Sequence, residues 1–280
     1  VNLLPGVQLA FIADPQPHSI PDALKPLVIA DYKEKLADVE AVTIVTPTST
    51  HYEIAKTCLA AGKHVLIEKP MTGNIAQAEE LVALAKEKGV VLAVGFVERY
   101  NPAFQQLLKL IKKERIIGID IKRFSPFPTR ISDADVINDM MIHDLDLLLT
   151  LLPKDEIEEL RAEGKKIKSD KLDSVDVTMF WRSGIVLKLA ANRASDDKTR
   201  KIVVTTENFL LEADLLGRKI MVRDLITHLP SVHHTKPADQ LTAEISDFIK
   251  AIKNKTKPSV PGEAAIKALK LAEEVRNKCS

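Results

Sequence analysis

The stretch of sequence that decides the fold is residues 62–72, which read GKHVLIEKPMT. Its centre, Val65–Ile67, is a short run of branched apolar residues, which is typical of a buried strand. Glu68 and Lys69 follow directly, and Pro70 ends the strand because its ring fixes the backbone and restrains the residue before it. Charged side chains at the carboxyl end of a parallel strand lie where open α/β sheets bind ligands. Lys69 is therefore the first candidate functional residue, although a solvated turn would explain these three residues equally well.

Apolar strands alternate with helices on both sides of this stretch. We predict strands at residues 7–13, 27–30, 41–45, 65–67 and 90–94, and helices at residues 52–61 and 74–88. Each helix is followed by a glycine, Gly62 or Gly89, the residue that most easily adopts the left-handed conformation at a helix end. Strands that are apolar throughout and alternate with helices indicate a parallel sheet covered on both faces. Residues 1–96 are therefore predicted to form an α/β domain.

The pattern changes after Phe96. Helices are predicted at residues 102–113, 135–152, 239–253 and 262–277, and strands at residues 116–124, 175–181, 185–191, 201–205, 209–213 and 219–223. Short strands joined by turns such as Arg182–Gly184 are typical of an antiparallel meander. Residues 97–280 are therefore predicted to form an α+β domain with a mostly antiparallel sheet. The charged run 156–171 is predicted to be a solvated loop or an edge hairpin.

The composition is that of an ordinary globular protein. Of the 280 residues 45% are hydrophobic and 28% are charged, and the net charge of +1 gives no electrostatic reason to expect nucleic acid or an anionic membrane as a partner. No stretch approaches the roughly 20 apolar residues of a membrane span, and no signal peptide is visible. The two cysteines, Cys58 and Cys279, are far apart and have no partners at metal-binding spacing, which favours a reducing cytoplasm. Cys58 is predicted to be a core residue of a helix.

The predicted helix 135–152 carries a stripe of ionisable residues. The helix is apolar nearly all round and should be buried, yet Asp139, His143 and Asp146 are spaced so that they share one face. Buried ionisable groups cost on the order of several kcal/mol unless they are paired or solvated in a cavity. The stripe is therefore expected to line a pocket. The alternative for His143 is a core histidine bonded to an aspartate one turn away.

Polar residues also follow two other predicted strands. Asp14 ends the first strand, and in dinucleotide-binding units an acidic residue at this position bonds the ribose hydroxyls, whereas a simple turn-forming aspartate is common there. At the end of the third strand, Thr46–Thr48 and His51 could frame a cofactor. Alternatively, the hydroxyls of residues 48–50 could cap the next helix.

Neither a metal site nor a serine hydrolase is expected. His233 and His234 are adjacent, so that in a strand their side chains would point to opposite faces, and no cysteine or carboxylate is suitably spaced around them. A Ser-His-Asp hydrolase is poorly supported because the sequence contains no Gly-x-Ser-x-Gly motif.

Taken in order along the chain, the candidate residues resemble the Gfo/Idh/MocA oxidoreductases. The motifs that carry the resemblance are Thr46-Pro47-Thr48-x-x-His51, Gly62-Lys63-His64-Val65, Glu68-Lys69-Pro70, Gly95-Phe96, Arg99-Tyr100-Asn101-Pro102 and Asp139-x-x-x-His143-Asp144, with Gln240–Phe248 and Pro261–Glu263 near the end. Glu-Lys-Pro alone is a weak signal, but the ordered set spans nearly the whole chain. Within the family, the regions 97–104 and 139–146 are most similar to the UDP-N-acetylglucosamine 3-dehydrogenases.

The resemblance implies a Rossmann domain that binds NAD(P) and a second domain that binds a sugar, an inositol or a related compound for oxidation or reduction. Lys69 would donate a hydrogen bond to the reacting oxygen, His143 would take up the hydroxyl proton as hydride leaves for the nicotinamide, and Asp139 would orient the imidazole or contact the substrate. The resemblance also implies a homodimer or homotetramer. The residues that it places at the site are, for the cofactor, Asp14, Thr46, Pro47, Thr48, His51, Glu68 and Lys69 and, for the substrate, Arg99, Tyr100, Asn101, Asp139 and His143.

The sequence departs from the family at its start. No Gly-x-Gly-x-x-Gly turn is present. The first strand and helix of the family's βαβ unit, roughly 25 to 30 residues, are expected to be missing from the sequence, or to have been disordered or cut. The Rossmann domain is therefore expected to be incomplete in this sequence. An intact mass near 31.0 kDa would show that the protein itself lacks the segment.

NAD is the expected cofactor because the carboxylate of Asp14 would repel the 2′-phosphate of NADP, which stays the alternative. Two other functions fit parts of the sequence. A non-catalytic sensor that binds a dinucleotide and a partner protein would not require both Lys69 and His143. An NAD-dependent glycosidase of related fold would release free sugar from a glycoside.

Overall fold

The computed structural model describes residues 4–17, 20–128, 134–153 and 155–279. The chain forms two compact units, Val1–Gly95 with Thr242–Glu263, and Phe96–Leu241 with Ala264–Ser280. The boundary after residue 95 lies one residue from the predicted one after residue 96. Residues 242–263, which the prediction assigned to the second domain, group with the first unit.

The elements follow one another closely along the described residues. The strands are β1 (Ile12–Ala13), β2 (Val28–Ile29), β3 (Ala41–Ile44), β4 (His64–Glu68), β5 (Leu92–Gly95), β6 (Ile116–Phe124), β7 (Ile157–Lys165), β8 (Ser174–Trp181), β9 (Val186–Asn192), β10 (Thr199–Thr206), β11 (Phe209–Asp214), β12 (Lys219–Asp224) and β13 (Pro230–His234). The α-helices are α1 (Thr48–Ala60), α2 (Ile75–Lys88), α3 (Pro102–Ile111), α4 (Ile142–Leu151), α5 (Gln240–Asn254) and α6 (Gly262–Lys278). Short 3₁₀ helices cover Asp22–Leu27, Tyr32–Asp38 and Val97–Tyr100, and a π-helix covers Ile137–Met141.

The strands of the first unit pair in parallel. β1 pairs with β2, and a second sheet has the order β3-β4-β5, with α1 and α2 connecting its successive strands. Asn74 caps α2 by accepting a hydrogen bond from the Gln77 N–H (3.0 Å). Gly62 and Gly89 follow α1 and α2 in the left-handed conformation, as their positions predicted. The prediction of a parallel α/β architecture is confirmed, and Cys58 lies fully buried in α1 as expected.

α5 and the loop after it belong to the first unit because they cover its parallel sheet. Phe248 of α5 is buried in a cluster with Leu66 of β4. The N–H of Val94 donates to the carbonyl oxygen of Val260 (3.1 Å), so the loop adds backbone hydrogen bonds beside β5. Helical periodicity predicts such a helix, but it does not tell which sheet the helix covers.

The second unit is built on one eight-stranded sheet with the order β13-β12-β11-β10-β6-β9-β8-β7. Every neighbouring pair is antiparallel except β6 and β9, which run parallel. Alternate residues of the strands face a large apolar core that also takes in side chains from α3, α4 and α6. The predicted α+β domain with a mostly antiparallel sheet is confirmed.

Some elements differ from their predicted extents. α1 begins at Thr48 rather than at residue 52, and the predicted helix 135–152 is a π-helix followed by the shorter α4. The charged run 156–171 contains β7, an edge strand that pairs antiparallel with β8, so the predicted edge hairpin is confirmed and the solvated loop is wrong. β13 extends the sheet beyond the predicted meander.

Among the described helices, none has the length and apolarity needed to cross a membrane.

Candidate functional site

Lys69 directly follows β4, the middle strand of its parallel sheet. The chain leaves the sheet at Glu68, and the Lys69 N–H donates to Glu68 Oε2 (3.2 Å). The peptide bond between Lys69 and Pro70 is cis. Lys69 is half-buried, whereas Met71 and Thr72 after it are buried. The edge where open α/β sheets bind ligands therefore carries a partly exposed lysine, as predicted.

The Glu68 carboxylate lies across the end of the neighbouring strand. Glu68 is in register with Gly95, the last residue of β5. A Cβ atom at residue 95 would lie only 2.9 Å from Glu68 Oε2. Glycine at this position therefore lets the carboxylate lie close to the backbone of β5, and any larger side chain would displace it.

His51 joins the loops that follow β3 and β4. The residue is 1% exposed, its Nδ1 lies 2.9 Å from the carbonyl oxygen of Pro70, and its Nε2 lies 2.8 Å from the carbonyl oxygen of Thr46. Carbonyl oxygens only accept, so which of the two contacts is a hydrogen bond depends on which ring nitrogen carries a proton. His51, predicted as a cofactor residue, therefore lies between the Thr46 and Pro70 loops, with one ring nitrogen facing each carbonyl oxygen.

Thr46, Pro47 and Thr48 lie where α1 begins. Pro47 is the N-cap residue and supplies no side-chain hydrogen bond, so the hydroxyls of residues 48–50 are not the caps that the sequence offered as an alternative. The Thr50 hydroxyl instead lies 2.8 Å from both Thr46 Oγ1 and the Pro47 carbonyl oxygen. Because a helix N-terminus attracts negative charge, this start of α1 fits an anionic group of a cofactor.

Asp14 follows β1 and forms a tight turn. Its Oδ1 accepts a hydrogen bond from the Gln16 N–H (2.8 Å), as in the turn that the sequence offered as an alternative. Its Oδ2 has no hydrogen bond to any residue that the structure describes. A spare carboxylate oxygen at a strand end also fits a ribose hydroxyl. The first unit thus offers groups that fit a dinucleotide, although the sequence has no glycine-rich turn for the pyrophosphate.

Glu244 on α5 is a buried carboxyl group in the first unit. It is 2% exposed, and its Oε1 has no hydrogen-bond partner among the described residues. Burial, followed by repulsion from Glu68 and Asp247, raises the pKa of Glu244 to about 8. The folded protein therefore keeps a proton on Glu244 at neutral pH.

This proton makes the stability of the first unit depend on pH. Between the usual pKa of 4.5 and about 8, the unfolded chain has released the proton of Glu244 and the folded chain still binds it. The free energy of unfolding should therefore fall as pH rises through this window, by up to about 1.4 kcal/mol per pH unit. Glu244→Gln stays neutral and should lose this slope, as urea unfolding at a series of pH values would show. Parallel pH profiles of the two proteins would contradict the prediction.

His143 is the second residue of α4 in the second unit. It is half-buried, and its ring meets Phe96 edge-on, with 6.0 Å between ring centroids and an interplanar angle of 86°. Asp139, also half-buried, lies in the π-helix Ile137–Met141. The stripe was predicted from α-helical spacing, which this π-helix interrupts. Single π-turns within α-helices are frequent at functional sites.

Asp146, the third residue of the predicted stripe, is buried against a partner. Arg99 Nε lies 2.6 Å from Asp146 Oδ2, and Arg99 Nη2 lies 2.5 Å from Asp146 Oδ1. Two parallel charge-assisted bonds of this kind fix both side chains. Asp146 therefore follows the paired alternative for a buried charge, and Arg99, predicted to bind substrate, is oriented by it.

A second set of buried charges lies beside this pair. Arg123 donates through Nε and Nη2 to Asp144 (2.8 Å each) and through Nη1 to Glu98 (3.0 Å). These three residues are at most 3% exposed. Arg200 Nη1 donates to the same Glu98 oxygen (2.8 Å). Although burial acts in the opposite direction, the two guanidinium groups lower the pKa of Glu98.

Asn101, predicted as a substrate residue, is almost fully buried. Its Nδ2 donates to Glu98 Oε2 (3.2 Å) and to the Leu215 carbonyl oxygen (3.0 Å). Its Oδ1 accepts from the Ala103 N–H (3.0 Å) and caps α3. Its amide is therefore committed to the protein, whereas the neighbouring Tyr100 keeps part of its surface exposed.

Glu98, Arg123 and Asp144 are not among the site residues predicted from the sequence. For Arg123 a signal existed, because it continues the inward-facing alternation of Ile119 and Ile121 along β6, and a charge at an inward position requires a partner.

In the part of the chain that the structure describes, no group of three or more histidine, cysteine or acidic residues is arranged to hold a metal ion.

Comparison with known families gives one matching profile. Residues 2–96 match an oxidoreductase family with an NAD-binding Rossmann fold. This range coincides with the predicted dinucleotide-binding region and confirms NAD(P) as the cofactor class.

Comparison with individual proteins extends the similarity beyond that range. The chain is 35% identical over 253 residues to the UDP-N-acetylglucosamine 3-dehydrogenase of Acidithiobacillus ferrooxidans, which covers 86% of this chain and 79% of that protein. It is 27% identical over 254 residues to the myo-inositol 2-dehydrogenase of Thermotoga maritima, with coverages of 84% and 75%. A solved structure of the Acidithiobacillus enzyme matches with a TM-score of 0.86 at 34% identity, over 92% of this chain and 84% of that one.

Proposed function

The chain belongs to the Gfo/Idh/MocA family of oxidoreductases, as its motifs predicted, and from this premise we propose that it oxidises or reduces a nucleotide sugar resembling UDP-N-acetylglucosamine with NAD. Membership of the family makes it an NAD(P)-dependent enzyme acting on CH–OH groups. The nucleotide sugar is the substrate class named for the relative at 35% identity, whereas the inositol enzyme is 27% identical.

One observation carries the proposal: a single chain combines a partly exposed Lys69 at the carboxyl edge of a parallel sheet with a partly exposed His143 at the start of a buried helix. A dinucleotide sensor requires neither residue. A dehydrogenase requires a group that stabilises the reacting oxygen and a base that accepts its proton.

In this proposal each residue has one task. Bound NAD supplies the hydride acceptor. Lys69 Nζ donates a hydrogen bond to the reacting oxygen and stabilises the negative charge that develops on it. His143 accepts the hydroxyl proton during oxidation and returns it during reduction. Asp139 orients the imidazole or contacts the substrate.

The residues around these groups have supporting tasks. We assign Arg99 and Tyr100 to substrate contact because both side chains are partly exposed, and Asn101 to the support of this segment because its amide is bonded within the protein. Glu68 and the loops joined by His51 would hold Lys69 at the cofactor. A homodimer or homotetramer and a cytoplasmic location stay predictions.

The proposal is tested with the full-length protein, a panel of nucleotide sugars and inositols, and NAD or NADP, by following absorbance of the reduced cofactor. Reduction of NAD with UDP-N-acetylglucosamine but not with myo-inositol or scyllo-inositol is the expected result. Turnover of the inositols alone would overturn the nucleotide-sugar assignment. Release of free sugar from a glycoside without net reduction would favour the glycosidase, and dinucleotide binding without turnover would favour the sensor.

Asp14 should set the preference for NAD over NADP. A carboxylate about 4 Å from a phosphate charge near a protein surface costs about 1 to 4 kcal/mol, which is about 5-fold or more in relative affinity. We therefore expect Asp14→Asn to lower the NAD/NADP ratio of kcat/KM by about 5-fold or more. The exposed Asp22 in the same unit provides the control, and Asp22→Asn should leave the ratio unchanged. Equal ratios in the wild type and Asp14→Asn would contradict the role of Asp14.

A further inference from the structure

Three contacts join Phe96–Asn101 to α4, all within the second unit. The Phe96 ring meets His143, Arg99 pairs with Asp146, and Glu98 reaches Asp144 through the guanidinium group of Arg123. We call Glu98, Arg123 and Asp144 the buried triad. The side chain that precedes Asp144 in α4 is His143, the proposed base.

We propose that Arg123 is a positioning residue for His143: by binding Asp144 and Glu98 at once, it fixes the first turn of α4 against the segment that carries Arg99 and Tyr100. The inference rests on the proposed function in taking His143 as the base. Arg123 acts through Asp144 and need not touch the substrate.

Arg123 and Asp144 come from elements of different rigidity. Arg123 lies on β6, which has a hydrogen-bonded neighbour on each side in the eight-stranded sheet, so its backbone is a rigid support. α4 begins directly after a π-helix, where the regular hydrogen-bond ladder is interrupted. The rotation of the first turn of α4 is therefore less determined by the helix itself, and a bond from outside can set it.

The guanidinium group of Arg123 binds its two partners with a fixed geometry. Nε and Nη2 bind the two oxygens of Asp144, which fixes the plane of that carboxylate, and Nη1 is left for Glu98. A lysine would supply a single charged point without this fixed fork. The arrangement therefore specifies orientation as well as charge.

The alternative is that the buried triad serves stability alone. Buried ion pairs are weak evidence for stability, because apolar residues of similar volume often replace them without loss. The two roles predict different behaviour for a variant that keeps its stability but loses the directed hydrogen bonds.

The first experiment compares Arg123→Met and Arg123→Lys with a variant of similar destabilisation outside the triad. Met179→Ala on β8 removes a fully buried side chain of the same unit's core and takes no part in the triad. Misplacement of a catalytic group by about 1 Å costs about 100-fold, so kcat of Arg123→Met should fall by about that factor with KM changed by less than about threefold. Arg123→Lys should recover only part of the loss. A native kcat in folded Arg123→Met, or an equal loss in Met179→Ala, would overturn the proposal.

A second variant keeps the test decisive if Arg123→Met fails to fold. The triple replacement Glu98→Leu, Arg123→Met, Asp144→Leu removes all three charges together and leaves no carboxylate of the triad unpaired. We expect this protein to fold and to keep the loss in kcat. Recovery of native kcat in the folded triple variant would mean that the triad serves stability alone.

A readout without turnover separates this inference from the proposed function. The ring resonances of His143 are followed by NMR against pH and assigned through His143→Asn. The titration midpoint should move in the triple variant and stay unchanged in Met179→Ala. Absence of turnover in the wild-type protein would count against the proposed function only, whereas an unmoved His143 titration would overturn the positioning role whatever the activity.

Discussion

Lys69→Ala is expected to reduce kcat by about 10²- to 10³-fold, the usual cost of removing one hydrogen-bond donor to a developing oxyanion. Lys69 follows a buried strand at the ligand-binding edge of its sheet, and its ammonium group is proposed to stabilise charge that is largest in the transition state. A group of this kind lowers kcat and kcat/KM together when it is removed. Steady-state kinetics with the best substrate of the panel would measure both constants.

A second lysine, at the other end of the same strand, provides the control for Lys69→Ala. Lys63 directly precedes β4 at the opposite, amino end of the sheet, where α/β sheets do not bind their ligands. Lys63→Ala should keep native kcat and KM, and both variants should keep the circular dichroism spectrum of the wild type. A Lys69→Ala protein with near-native turnover would show that another group stabilises the reacting oxygen.

The position of Lys69 could be predicted because it depends on local sequence. A run of branched apolar residues predicts β4, Pro70 predicts where it ends, and Gly62 predicts where the helix before it ends. Each signal lies within a few residues of the feature that it predicts. The same holds for Asn74, whose side chain caps the helix directly after it.

The environment of His143 could not be predicted in this way. Asp144 meets Arg123 across 21 residues of sequence, and Glu98 meets Arg200 across 102. The spacing of residues in a helix or a strand does not show which distant charges will be brought together. Helical spacing therefore predicts that Asp146 shares a face with His143, but it does not show that Asp146 is paired with Arg99.

Residues 242–263 illustrate the same limit for the division into domains. The periodicity of α5 predicts an amphipathic helix whose apolar face must be buried, and Phe248 lies on that face. Two sheets were available to cover it, and the buried cluster of Phe248 with Leu66 and Ala93 places it on the sheet of the first unit. Chain order favoured the second unit, and tertiary packing determined the outcome.

The second large effect is expected for His143→Asn. Asparagine keeps a polar side chain of similar size but cannot accept a proton, so kcat should fall by about 10²- to 10⁴-fold, the usual contribution of a general base. The pH profile should change as well. If neutral His143 is the base for oxidation, kcat of the wild type rises with pH across the range in which imidazoles titrate, about pH 6 to 7, and His143→Asn loses this rise.

An exposed histidine of the same unit provides the control for His143→Asn. His234 lies on the edge strand β13, and His234→Asn should keep the native kcat and the native pH profile. The profile is the sharper of the two measurements, because a disturbed fold lowers kcat at every pH, whereas loss of the base removes the dependence itself. A low kcat that still rises with pH in His143→Asn would show that a different residue accepts the proton and that His143 contributes only to the shape of the site.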